Sequence, residues 1–347
     1  MSLTIILIKG YVRGMNTSRA LIFSLATAVA LSGCATTVTP SETATPAPAP
    51  SAPTGPAGPS LTIVVTTTVL GSVVKDIATC AVGDDFEVTV LMPIGVDPHD
   101  FQASSAQVAQ MMAADLVVTN GLGLEEGLLA AIDTVAADGG NVMEIGPLVE
   151  PLPFDSSEGD DHAGEDDHAH AGGFDPHFWF DMDRMATAAT LIGIQLDAAG
   201  GSGYSACGLA VAAEIDQANS AIETILDSVP VTSRVLVTDH DALSYFAKRY
   251  DYRIVGVVVP GWSTLGAPNS RELANLVSVI QQKNVTVIFG NTAFAPDLLE
   301  ALAAEAGRGV GVVPLYIGSI GGPGSGAETY RDMMTTNAER IAEALGS

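Results

Sequence analysis

The chain has 347 residues, 47% of them hydrophobic, and its formal net charge is −26 because 40 acidic residues stand against 14 basic ones. This balance argues against a nucleic-acid partner, since phosphate binding requires a basic surface, and it suits the attraction of cations. The part of the chain after residue 60 is long enough for two lobes.

The N-terminus has the features of an export signal. Arg19 precedes an apolar run over 20–31, which predicts a signal peptide over 1–33. The small residues before Cys34 resemble a lipoprotein lipobox, which implies lipidation of Cys34 and an extracytoplasmic protein anchored to the cell membrane. Residues 35–60 are rich in Thr, Pro and Ala and predict a disordered tether after the lipidated Cys34.

From residue 61 onward, short runs rich in Val and Ile alternate with helical patterns. This rhythm predicts an α/β protein with mainly parallel sheets and flanking helices, in an N-terminal lobe over 61–203 and a C-terminal lobe over 229–347. The predicted strands are 61–66, 86–92, 115–120, 141–145, 234–238, 253–259, 285–289 and 310–315. The predicted helices are 104–113, 125–136, 181–199, 242–250, 270–282, 296–306 and 327–345.

One long helix is predicted between the two lobes. Residues 204–228 contain no proline, their apolar positions follow one helical face, and Pro230 ends the pattern. At 1.5 Å per residue such a helix is about 35 Å long. We therefore expect one rigid helix to join the two lobes.

The six histidines fall into two groups. Three stand singly in acidic contexts: DPHD around His99, DPHF around His177 and DHD around His240. His99 and His240 follow predicted strands, and ligands of open α/β sheets bind at the carboxyl ends of strands. Neutral imidazole is a common metal ligand. These three histidines therefore predict a metal site in the cleft between the lobes.

Carboxylates near these histidines are candidates for orienting the rings, and they are Asp100, Asp239 and Asp241. The remaining histidines crowd the acidic loop 155–173 and are His162, His168 and His170. A loop with Gly-rich ends is expected to gather metal with low affinity.

Four segments resemble a known family. They are LMPIGVDPHDFQASSAQVAQMMAADLVVTNGLGLE, DPHFWFDMDRM, TDHDALSYFAKRYDYRIVG and GSGAETYRDMMTTNAERIAEAL. In this order they resemble the substrate-binding lipoproteins of metal ABC importers, in particular the zinc type with a His-rich loop. The resemblance implies two α/β lobes bridged by one helix and metal binding by His99, His177 and His240. It also implies a monomer without enzymatic activity that serves an ABC permease and its ATPase.

The resemblance also bears on the choice of metal. Manganese members commonly carry Glu where His240 stands, so three imidazoles favour Zn²⁺ over Mn²⁺. Relatives carry acids at the positions that match Gly318 and Asn291. The fourth ligand is therefore open to water or to a loop histidine, and Gly318→Asp is expected to add a carboxylate ligand and tighten binding.

Three other functions are compatible with parts of the sequence. A zinc-dependent hydrolase could use the three histidines with water, although the chain has no HExxH motif. A surface adhesion or scaffold lipoprotein is compatible with the anchor. A nucleotide site at Asn120–Gly123 is disfavoured, because Glu125 and Glu126 would repel phosphate. Cys80 and Cys207 either form a disulfide, which export permits, or are buried separately.

Overall fold

The computed structural model describes residues 61–154, 173–293, 295–307 and 309–346. The predicted signal peptide over 1–33, Cys34 and the tether over 35–60 lie outside this part of the chain. So do the loop histidines His162, His168 and His170.

The first lobe is built on a four-stranded parallel sheet with the order β2-β1-β3-β4. Its strands are β1 (Thr62–Val65), β2 (Glu87–Val90), β3 (Leu116–Thr119) and β4 (Val142–Glu144). Central β3 is buried at every position, because helices cover both faces of a parallel sheet. All four strands lie within the predicted runs.

The second lobe repeats this topology, with the parallel order β6-β5-β7-β8. Its strands are β5 (Val235–Thr238), β6 (Arg253–Val257), β7 (Val287–Asn291) and β8 (Gly311–Leu315). In each lobe, the loops at the carboxyl end of the sheet carry predicted histidine ligands. The fold class predicted from the sequence is confirmed as two α/β lobes.

The helices of the described residues surround these sheets. They are α1 (Thr68–Val82), α2 (Ser105–Ala113), α3 (Leu129–Ala137), α4 (Met182–Ala198), α5 (Tyr204–Leu226), α6 (Ser244–Tyr250), α7 (Ser270–Lys283), α8 (Asp297–Ala306) and α9 (Tyr330–Leu345). None of these helices combines the length and the hydropathy that a bilayer crossing requires.

Helix α5 runs between α4 of the first lobe and β5 of the second, and it packs against α1, α4 and α9. Two glycines allow its close approach to α4. A Cβ at Gly193 would lie 2.4 Å from the carbonyl oxygen of Tyr204, and a Cβ at Gly208 would lie 2.6 Å from that of Ala189. The close packing along this helix joins it to the first lobe.

Helix α1 was not among the helices predicted from the sequence. Its residues include four valines and Gly71, which favour other conformations in isolation. Thr67 caps its start by accepting a hydrogen bond from the backbone N–H of Leu70. A Cβ at Gly71 would lie 2.5 Å from a methyl group of Val90, so glycine permits the helix to pack directly against β2. Tertiary packing therefore overrides local propensity here.

A disulfide joins Cys80 at the end of α1 to Cys207 in α5. The two residues are 127 positions apart. In the chain-entropy model a cross-link over such a long loop stabilises the fold by about 5 kcal/mol. The bridge holds the long helix against the first lobe.

The two lobes share one continuous hydrophobic core, which includes Ile63 of the first sheet and Phe289 of the second. Polar contacts reinforce this interface near the cleft. Trp179 donates its indole N–H to the carbonyl oxygen of Ile317, over 3.1 Å. Tyr245 donates its hydroxyl to the carbonyl oxygen of Asp175, over 2.8 Å. The lobes are therefore packed together around the loops that carry the histidines.

Candidate metal centre

The three dispersed histidines meet in the cleft between the lobes. His99 lies in the loop after β2, His177 lies just before the short turn that leads into α4, and His240 follows β5. One ring nitrogen from each lies within 4.8 Å of the other two. All three residues are buried, with 1%, 1% and 2% of their surface exposed. The loop histidines predicted as auxiliary ligands, His162, His168 and His170, lie outside the described residues.

Two of these rings are oriented by carboxylates on their own lobe. Asp175 Oδ1 accepts the backbone N–H of His177 and lies 2.9 Å from Nδ1 of the same residue. Asp239 Oδ1 makes the same pair of contacts with His240, at 2.8 and 2.9 Å. Because each carboxylate holds Nδ1, the Nε2 atoms of both rings remain to bind a metal.

Burial and charge act differently on the two rings. Burial, reinforced by the other two imidazoles, holds the pKa of His177 well below its usual value, so this ring is neutral. Burial also lowers the pKa of His240, but the Asp239 carboxylate and more distant acids outweigh it and raise that pKa overall. Burial likewise raises the pKa of Asp175 well above its usual value.

Several ring nitrogens of this cluster are buried without a hydrogen-bond partner in the described structure. They are Nδ1 and Nε2 of His99 and Nε2 of His177. Leaving a polar atom buried and unpaired costs about 1–3 kcal/mol. A cation that accepts one lone pair from each ring would satisfy the unpartnered nitrogens that face the cluster.

The carboxylates predicted to orient the rings are only partly those observed. Asp239 holds His240 as expected, but Asp100 is exposed at the surface. Asp241 accepts a hydrogen bond from the hydroxyl of Ser244, over 2.7 Å. Asp175 was missed, although its place two residues before His177, across Pro176, is a signal that the sequence contains. An Asp side chain commonly accepts the N–H two residues further along the chain.

The loop after β3 contains a buried acid with a structural role. The Glu125 carboxylate accepts hydrogen bonds from the Thr66 hydroxyl and from the backbone N–H groups of Asn120 and Gly121. Burial raises its pKa. The N–H groups that could have held a phosphate are therefore already paired, which removes the basis of the nucleotide-site interpretation. The inward turn of Glu125 also explains why α3 begins at Leu129 and not at the predicted residue 125.

The two positions where an acid was expected lie side by side near the loop of His99. A Cβ built on Gly318 would lie 2.6 Å from Cδ of Pro98 and 4.0 Å from Nδ2 of Asn291. Asn291 donates its backbone N–H to Asp239, over 2.8 Å. A side chain at position 318 would have to displace Pro98, the residue before His99, so the prediction for Gly318→Asp has to include this steric cost.

The second lobe also contains an apolar cavity of about 530 Å³ beside the histidine cluster. Its walls include His240, Asn291, Val258, Leu299, Val312 and Pro314. The cavity therefore borders the cluster at His240, on the side of the second lobe.

Comparison with protein-family models assigns the chain to a family. Residues 63–344 match the family described as ZnuA, zinc-uptake complex component A, periplasmic. The chain belongs to this family. Its members are substrate-binding proteins of metal ABC transporters, so the family predicted from the four sequence segments is confirmed.

Individual relatives agree with this assignment along most of the chain. The manganese-binding lipoprotein MntA of Halalkalibacterium halodurans is 26% identical over 291 residues, which cover 83% of this chain and 89% of MntA. The zinc-binding protein TroA of Treponema pallidum is 28% identical over 82% of this chain and 88% of TroA. The solved structure of TroA superposes with a TM-score of 0.72 and 25% identity, over 83% of this chain and 100% of TroA. The metals for which these relatives are named differ, manganese for MntA and zinc for TroA.

Proposed function

We propose that the protein captures Zn²⁺ outside the cytoplasm and delivers it to an ABC permease and its associated ATPase. The meeting of His99, His177 and His240 supports this most strongly, because three buried imidazoles converge within 4.8 Å. Three protein nitrogens with one position left for water are an ordinary coordination shell for zinc. Cys34 anchors the protein to the membrane in this proposal, and the protein acts as a monomer.

The ligand type favours zinc over manganese. Among the described His, Cys, Asp and Glu residues, three imidazoles have ligand atoms close enough together to hold one ion. Imidazole suits zinc, whereas manganese prefers carboxylate and water oxygens. Copper(II) and nickel also bind imidazole well, so zinc selectivity in the cell depends on which metals are available.

The acidic loop has a separate role in this proposal. His162, His168 and His170 gather zinc weakly and raise its local concentration, while the three buried histidines hold the ion tightly. Cargo is identified by metal analysis of the protein purified without added metal, followed by competition titration with a chelator. We expect about one tightly held zinc per chain. Tight manganese binding without zinc binding would contradict the proposal.

Zinc affinity is expected to fall as the pH is lowered from about 8 to about 5, because protons compete with the metal for imidazole. The pKa of His240 is raised above the usual value of about 6.5, so this ring takes up a proton at a higher pH than His177 does. His177 stays neutral further into acid, because its pKa is lowered. Competition titration over this pH series measures the effect, and an affinity that stays constant down to about pH 5 would indicate carboxylate ligands instead.

A further inference from the structure

The two Asp-Pro-His segments have the same local turn but orient their imidazoles differently. In both, the Asp Oδ1 accepts the backbone N–H of the histidine two residues later, over 3.1 Å at His99 and 2.9 Å at His177. In the second segment, the same oxygen of Asp175 also lies beside the ring nitrogen Nδ1. In the first segment, the other oxygen of Asp97 accepts the hydroxyl of Thr264, which belongs to the opposite lobe.

The carboxylate beside the ring of His99 belongs to Glu126. Its Oε1 lies 3.4 Å from Nδ1 of His99, without hydrogen-bond geometry. The same Oε1 accepts a hydrogen bond from the hydroxyl of Ser263, again from the opposite lobe. The acid that faces His99 is therefore held in place across the cleft.

The residue before Ser263 also contacts His99. The indole ring of Trp262 lies 5.6 Å from the imidazole of His99, measured between ring centroids. A Cβ at Gly123 of the first lobe would lie 3.5 Å from Cη2 of Trp262, so the indole rests on the loop after β3. Three consecutive residues of the second lobe thus contact the ring of His99, its neighbouring carboxylate and the Asp that holds its backbone.

We propose that residues 262–264, the strap, position His99 for metal binding from the opposite lobe. This inference rests on the proposed zinc-binding function. His177 and His240 are oriented by Asp175 and Asp239 on their own lobes, whereas the two acids next to His99 are themselves held by the strap of the opposite lobe. Groups that orient a ligand raise metal affinity by about 10–100-fold. Separation of the lobes would therefore release His99 as a ligand, which gives a permease a direct means to weaken metal binding.

The strap is tested by removing its two hydroxyls and keeping its indole. The full-length double variant Ser263→Ala/Thr264→Val is expected to bind zinc at least about tenfold more weakly and to release it faster. Leu265→Ala is the matched control, because this neighbouring side chain is 54% exposed. It should bind zinc as the parent protein does. Glu126→Gln, which keeps an acceptor for Ser263 but removes the charge, should reproduce the loss.

A second measurement separates positioning from general destabilisation. In the metal-free, ¹⁵N-histidine-labelled protein, NMR reports the tautomer of each ring, with signals assigned by single-histidine substitutions. The double variant should alter the His99 signals and leave those of His177 and His240 unchanged. Unchanged His99 signals together with unchanged affinity would overturn the strap. Failure of the parent protein to bind zinc would instead overturn the proposed function, while the NMR comparison would still test the strap.

Discussion

His240→Ala is expected to abolish tight zinc binding, with an affinity loss of more than about 100-fold. Losing a group that merely orients a ligand already costs roughly 10–100-fold, and His240 is a proposed ligand itself. The loss should exceed that range because the two remaining imidazoles, His99 and His177, belong to the first lobe and no longer bridge the cleft. Competition titration with a chelator measures the affinity. His240→Gln serves as a second variant, since glutamine keeps a polar side chain in this buried position.

Deletion of residues 157–172 is the opposite experiment and should leave tight binding nearly intact. The three clustered imidazoles all lie within the described part of the chain, outside this loop. His168→Ala is the matched single substitution, and it too should retain the tight site. If the deletion removed tight binding while His240→Ala spared it, the roles of the two histidine groups would be reversed.

The strands and most helices were predictable because they depend on local pattern. Central strands of parallel sheets are buried on both faces and appear as short apolar runs. The predicted run 115–120, for example, contains the observed strand Leu116–Thr119. The helix over 204–228 was predictable from its apolar face and from Pro230. Helix α1 was not, because the packing that selects it involves Val90, which is distant in sequence from Gly71.

The histidine ligands were predictable for a related reason. Each predicted ligand lies in a loop that follows a strand or precedes a helix, with an acid nearby, and the topology brings these loops to one cleft. Their partners were less predictable. Asp175 contacts its own motif and has a local signal, but Glu126 approaches His99 through the fold and is held by Ser263, 137 residues away. No spacing rule in the sequence joins residues so far apart.

Gly318 shows the same limit of prediction from the sequence. The resemblance identified the position where an acid was expected, but only the structure shows that Pro98 occupies the space beside it. Whether an added carboxylate helps binding therefore depends on two opposed effects. The side chain supplies a charged oxygen, and its Cβ displaces the proline that precedes His99.

Substitutions at Gly318 are expected to separate these two effects. Gly318→Ala adds only the Cβ and should weaken zinc binding, because overpacking costs about 1–3 kcal/mol and the displaced Pro98 carries His99 with it. Gly318→Asp has the same Cβ but adds a carboxylate that can replace water on the metal. A charge-assisted contact contributes about 1.5–3 kcal/mol, so the Asp variant should bind zinc roughly 10–100-fold more tightly than the Ala variant.

The comparison has a matched control in the same segment between β8 and α9. A Cβ at Gly322 meets nothing within 4 Å, so Gly322→Asp introduces the same charge between β8 and α9 without steric displacement. It should bind zinc as the parent protein does, because a charge with open space around its Cβ is reached by solvent and largely screened by salt. Competition titration of all three variants, with thermal unfolding as a check on folding, completes the test. Equal affinities of the Ala and Asp variants would show that residue 318 does not face the metal, and the fourth coordination position would then have to be completed from another segment.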